Sequence, residues 1–250
     1  MRYRTALAFG LAVLFAASAQ ADDQSGCKPS VIGTGRVGAI VDGRTVRLTD
    51  GREIRLGGIE AALQAKIALE SMISDREITL MRLAENDRYG RVVALVTMDG
   101  QSVQQALLAR GLARVSADIG DSACSANLLA AEKAARAAGL GLWADPYYVV
   151  RKAENPAGIL AVRGHFAVVE GRILSVRESG STIYVNFGRR WSDDFTVTVS
   201  KRNERKFTAA GLELKKLAGQ HVRVRGTVEE RGGPWIEAAN PAQIEIAEQR

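Results

Sequence analysis

Four side chains within the stretch Asp42–Leu63 have the types needed for work on a phosphate: Asp42, Arg44, Arg55 and Glu60. Guanidiniums hold phosphate through forked, charge-assisted hydrogen bonds. Carboxylates hold a cation or accept a proton. A second group lies far along the chain, where Arg189-Arg190-Trp191 is surrounded by Arg172, Arg177, Lys201 and Arg202 and interleaved with Tyr184, Phe187 and Phe195. Aromatic rings offer stacking platforms for bases while guanidiniums follow a phosphate backbone; the alternative is a solvated cationic face over core aromatics. Other chemistries drop out. His165 and His221 are the only histidines, with no acidic or cysteine cluster beside them, so there is no zinc motif and no triad hydrolase. The GTGRVG run at 33–38 precedes a strand rather than following one and opening a helix, so it fails the context of a dinucleotide loop.

The elements that must position these groups are legible from pattern. Val46 and Leu48 alternate with polar residues, Asp50-Gly51 marks a tight hairpin turn, and Ile54 to Ile59 forms the return strand. Gly33, Gly35 and Gly38 read as a loose entry before a strand that begins at Ala39. Apolar spacing then predicts a helix over 63–74, strands over 77–83 and 91–98, and a helix over 103–110 capped by Gly111. An extended piece at 112–116 and a helix over 126–138 ended by Gly139 complete the first half. Asp145–Ile159, with Pro146 and Pro156, reads as a linker. Beyond it, strands over 165–177, 181–188 and 194–200, a helical stretch over 206–217, and strands over 221–230 and 235–247 follow the element order of an OB-fold barrel. The fold class is therefore mainly β with α: two small OB-fold barrels in tandem, the first five-stranded with about three helices.

The N-terminus carries a different signal. Arg2 and Arg4 precede an apolar run to Ala17, and Ala19-Gln20-Ala21 is a small-x-small site. This is the pattern of a secretory signal peptide over 1–21, cleaved near Ala21; an uncleaved anchor is the alternative. No later stretch is long and apolar enough to span a bilayer. The expected divisions are thus 1–21 signal peptide, 22–36 tail, 37–146 first barrel, 147–162 linker and 163–250 second barrel. Export places the protein in a periplasmic or extracellular, oxidising compartment. There Cys27 and Cys124 form a disulfide worth about 2–4 kcal/mol, two separate thiols being the alternative. Lys and Arg number 34 against 28 Asp and Glu, and the excess lies beyond Arg163, a mild pointer to a polyanion.

Four motifs in order, VDGRTVRL with IRLGGIE, DRYGRVVALV, DGQSVQQALLARGLARV and AEKAARAAGLGLW, resemble the staphylococcal nuclease, or thermonuclease-like, family over roughly Val37–Pro146. The resemblance implies a five-stranded OB barrel with three helices, nucleic-acid phosphodiester hydrolysis and a calcium ion. It also implies that Arg55 and Arg91 stand at the two phosphate-clamping positions. Asp42, Thr45, Asp87, Tyr89 and Gly90 match as well. The departures are specific. Arg44 occupies the first calcium-ligand position, Glu60 the second, Ala61 and Ala62 replace a Thr and a Pro, and Leu63 occupies the general-base position.

Three readings follow. In the first, the protein is an impaired pseudonuclease without a cofactor. Arg44, Arg55 and Arg91, with Arg189, Arg190 and Trp191, bind single-stranded or short nucleic acid or another phosphate-bearing polyanion. Arg44 then pairs with Glu60 or Asp42, and a bare structural Arg44–Glu60 bridge is the alternative to an anion pocket. In the second, Asp42 and Glu60 retain calcium and the protein is an active metal-dependent endonuclease. In the third, it is an envelope module with a protein partner and no role on nucleic acid.

Overall fold

The computed structural model describes residues 27, 29–119 and 122–247. The expected signal peptide over 1–21 lies outside the described residues. Among those described, no helix is long and apolar enough to cross a membrane.

The first half is a closed barrel. Strands β1 (Val31–Asp42), β2 (Thr45–Leu48), β3 (Glu53–Leu56), β4 (Ile59–Ala61), β5 (Glu77–Arg82) and β6 (Val92–Met98) are joined by helix α1 (Ala65–Ile73) between β4 and β5. The ladder runs β3-β2-β1-β5-β6, and parallel pairing of β3 with β6 closes it into five strands. The 33–38 run is not a loose entry. It is part of β1, paired with β5 from Gly33 to Arg36. Gly35 serves packing: a Cβ there would lie 2.5 Å from Leu48 Cδ1. The β2–β3 hairpin turns at Gly51, whose φ of 90° no other residue type adopts readily. Val46, Leu48, Ile54, Leu56, Ile78, Leu80 and Val96 fill the interior.

A short β7 (Gln101–Ser102) leads into α2 (Val103–Ala109), whose N-cap Ser102 accepts a bond from the Gln105 amide. Strand β8 (Ala113–Val115) pairs with β4, and α3 (Ser122–Ala137) follows. Cys27 and Cys124 are joined by a disulfide, Cα–Cα 4.5 Å; Cys124 sits at the start of α3 rather than in a loop. After Gly139 the chain turns back on the end of α2, where Gly111 (φ 67°) and Gly141 (φ 55°) meet. A Cβ on Gly111 would stand 2.2 Å from the Leu140 carbonyl oxygen, so only glycine fits.

The second half is two facing sheets. Its elements are β9 (Arg151–Lys152), α4 (Pro156–Leu160), β10 (Phe166–Arg172), β11 (Ser175–Ser179), β12 (Thr182–Asn186), β13 (Thr196–Ser200), α5 (Glu204–Ala209), β14 (His221–Thr227), β15 (Glu229–Arg231), β16 (Gly233–Glu237) and β17 (Ile244–Ile246). One sheet is ordered β17-β14-β10-β9, the other β11-β12-β13-β16-β15. The strand expected over 165–177 breaks at Ile173-Leu174 and feeds both sheets. The strand expected over 235–247 breaks at a 3-10 turn, Pro241–Gln243. The helical stretch over 206–217 is α5 and a second 3-10 turn, Leu214–Leu217. Between the sheets lie Val169, Val185, Phe195, Val197, Phe207, Val222, Val224 and Ile236.

Residues 147–162, read from their prolines as a linker, are built structure. Strand β9 pairs in parallel with β10, and Asn155 caps α4, accepting from the Gly158 amide. The halves are welded, not strung. Ala62, Ala135, Leu142 and Trp143 from the first half pack with Val168 of the second in one buried cluster. Arg114 donates to the Phe166 carbonyl at 2.8 Å, its guanidinium lying over the Phe166 and Tyr148 rings. Deepest of all is Arg225 on β14, fully buried. It donates to Glu132 of α3 at 3.1 and 3.2 Å, to the Val115 carbonyl at 3.1 Å and to Glu245 at 3.1 Å.

Candidate functional site on the first barrel

Strand alternation decides where the arginines point. Ile54 and Leu56 are buried in the barrel, so Arg55 between them stands on its outer wall, opposite Thr45 on β2 and Val93 on β6. Arg44 precedes β2 in the tight connection from β1. Asp42 fixes that connection by accepting a bond from the Arg44 amide at 2.8 Å. The Arg44 guanidinium then crosses to β4, where Nη1 donates to the Ile59 carbonyl at 2.9 Å and to Glu60 at 2.8 Å. Of the two carboxylates open to Arg44, Glu60 takes the side chain and Asp42 takes only the backbone.

Arg91 enters just before β6 from a bend organised by Asp87. The Asp87 carboxylate accepts from the amides of Tyr89 and Arg91 and from Arg91 Nε at 2.7 Å. Burial raises the Asp87 pKa, but those bonds and the Arg91 charge together outweigh it and hold the carboxyl below its usual range. Gly90, at φ 77°, makes the bend. Tyr89 is exposed and lies beneath both Arg88 and Arg91, 4.8 and 5.2 Å from ring centre to guanidinium carbon.

Arg55 is the odd one. It is partly buried, and its guanidinium has no hydrogen bond or ion pair among the described residues. Burial lowers its pKa, and the neighbouring charges of Arg44 and Arg91 lower it further; Glu60 and Asp118 work in the opposite direction. The three arginines are therefore close enough to repel, and the middle one is unpaired. Beside it, the buried Thr45 hydroxyl also lacks a partner among the described residues. Leu63 is 92% exposed at the edge of this group, with Ile67 of α1 exposed one turn on. A side chain there carries no acid–base chemistry.

Arg189, Arg190 and Trp191 sit apart from this group, in the loop between β12 and β13. Trp191 is 74% exposed. Arg190 is partly spoken for: its amide donates to Asp194 at 2.7 Å and its guanidinium lies 3.6 Å from Asp193. Phe187 packs against core Phe195, while Tyr184 faces outward and meets Trp235 edge-on at 6.1 Å. Sequence reasoning passed over Trp235, with Arg231 over its ring at 4.8 Å, although alternation along β16 places it on that outer face. It also passed over Asp118, which bears on Arg55 from a loop without an apolar pattern.

A closed five-strand barrel carrying arginines on its outer wall beside a hairpin defines an OB-fold segment. Residues 54–145 match the family model Staphylococcal nuclease homologue, so this part of the chain is a staphylococcal nuclease-like segment. Arg55, Glu60, Leu63 and Arg91 fall inside the match; Asp42 and Arg44 precede it. None of the curated proteins compared with the chain matches it.

Proposed function

We propose that this is an exported, catalytically impaired relative of the staphylococcal nucleases. It binds a phosphate of single-stranded or short nucleic acid on the outer wall of its first barrel. The observation that carries the reading is Arg55: a partly buried, unpaired guanidinium between two other arginines, in a segment of that family. An anion placed there relieves the repulsion among the three and satisfies the idle donors.

The donor set argues against calcium. That ion takes six to eight oxygens, mostly from carboxylates. Here the Glu60 carboxylate is paired with Arg44, the Asp42 carboxylate closes a turn, and the Arg44 cation stands among them. Hydrolysis is further disfavoured by Leu63, since losing a positioned general base costs roughly 10²–10⁴-fold in rate. The Arg44–Glu60 pair orients Arg44 while leaving it part of the cationic group. Export is supported by the N-terminal pattern and by a disulfide of the kind that persists in oxidising compartments.

The test uses the mature chain from Asp22, purified from a host lacking its own secreted nucleases. Binding of a fluorescent single-stranded oligonucleotide is expected to weaken about tenfold or more in Arg55→Ala and to fall steeply with salt. Unchanged affinity in an Arg55→Ala, Arg91→Ala double variant sinks the pocket. Cleavage of single-stranded or duplex DNA by the unaltered protein, abolished by chelator, would instead make it an enzyme.

A further inference from the structure

A second basic site lies far from the arginines of the first barrel, at the seam between the two halves. A groove of 720 Å³ opens there, walled by α3, β9, β10, β14 and β17. Its size suits a small ligand. Its lining carries five Lys or Arg side chains, Lys133, Arg136, Lys152, Arg172 and Arg223, against only Glu170 and Glu245.

Both carboxylates are already used. Glu170 accepts from Lys152 at 3.0 Å and Arg223 at 2.6 Å, and His221 Nε2 is 3.9 Å away. Glu245 accepts from Arg136 at 2.7 Å, Arg223 at 3.1 Å and the buried Arg225 at 3.1 Å. Burial favours the neutral acid in each, but the surrounding cations outweigh it and hold both pKa values down. The lining therefore stays charged; Arg136 is also paired with Glu132, and the open positive charge lies with Arg172 and the exposed Lys152. Arg172 meets no carboxylate: its Nε donates only to the Gly219 carbonyl at 3.0 Å, and the rest of the guanidinium is exposed. His221 keeps a buried Nδ1 with no partner among the described residues.

We propose that this groove binds a small, multiply charged phosphate compound, a free di- or triphosphate or the phosphorylated end of a larger molecule. Several cations around one open cavity match several phosphoryl oxygens, and the guanidinium of the exposed Arg172 gives the forked donors that phosphate takes. Because the lining comes from both halves, the ligand bridges them, and its binding energy adds to the stability of the docked molecule.

Calorimetric titration of the mature chain with inorganic pyrophosphate, ATP and inorganic phosphate tests this at low salt. Pyrophosphate and ATP are expected to bind more tightly than phosphate and to raise the melting temperature with concentration. In an Arg55→Ala background, which removes the first-barrel contribution, Arg172→Ala and separately the exposed Lys152→Ala should each weaken pyrophosphate at least fivefold. A preference for ATP over pyrophosphate points to a free nucleotide; equal binding of both points to the phosphoryl groups alone. No heat and no melting shift with any of the three overturns the proposal. So does a loss of pyrophosphate binding on Arg55→Ala alone, with no further effect of either groove change, which would leave the first-barrel site standing alone.

Discussion

At the scale of single residues, the chain turns on two arginines with opposite fates. Arg55 is unpaired at the surface; Arg225 is fully buried and bonded on every side but Nε. Burial tends to lower the Arg225 pKa, yet the Glu132 and Glu245 carboxylates more than compensate and raise it. Removing one partner of such a pair leaves an uncompensated buried charge, at about 3–5 kcal/mol. Glu132→Gln is therefore expected to lower unfolding stability by about that much in a denaturant titration. Replacing both members with apolar residues, Arg225→Met with Glu132→Leu, should recover most of the loss. Equal losses in the single and double variants would show that the bridge itself, rather than an orphaned charge, holds the seam. Arg55 was legible in the sequence because it belongs to a spaced motif. Arg225 was half legible: alternation in VRVRGTV sets Arg223 and Arg225 on one face, but nothing local says that a helix ninety residues earlier brings the carboxylate.

At the scale of elements, hairpins and helix stops were readable and contacts between them were not. Asp50-Gly51, Gly111 and Gly139 mark ends by rules that are local in sequence. The run 33–38 misled because its glycines signal looseness, whereas here Gly35 allows β1 to lie close against Leu48. The prolines of the supposed linker misled likewise, since Pro156 opens a helix, where its missing amide costs nothing. The Gly111–Gly141 contact offers a direct check. Gly111→Ala demands a left-handed alanine and drives its Cβ into a backbone oxygen, so it should cost more than about 2 kcal/mol. Gly139→Ala, with positive φ but open space around the Cβ, should cost visibly less. Thermal unfolding of the two variants side by side separates clash from backbone conformation.

At the scale of the whole molecule, acid is the expected weakness. Glu170 and Glu245 have folded pKa values below the ordinary 4.5. Depressed carboxylates contribute stability that is fully present above their unfolded pKa and is lost as pH falls through their folded values. Melting temperature should therefore be nearly flat from pH 7 to 5 and drop below about pH 4.5. Glu245→Gln should melt lower at neutral pH but with a shallower fall in acid. A parallel fall would place the acid-sensitive groups elsewhere. The sequence reading found a β-rich unit in each half and missed how they join, because the seam pairs residues distant in sequence, Trp143 with Val168 and Glu132 with Arg225.

Helix α3 works as a beam. One end is clamped covalently, through Cys124, to the chain's entry at Cys27; along its length Glu132 and Arg136 carry the second half. A cut drawn at Pro146, the obvious place to divide the polypeptide, would leave that beam loaded on nothing. Its acidic socket would be empty and Trp143 stripped of its cover. Whatever cell makes this protein inherits, or loses, both halves together.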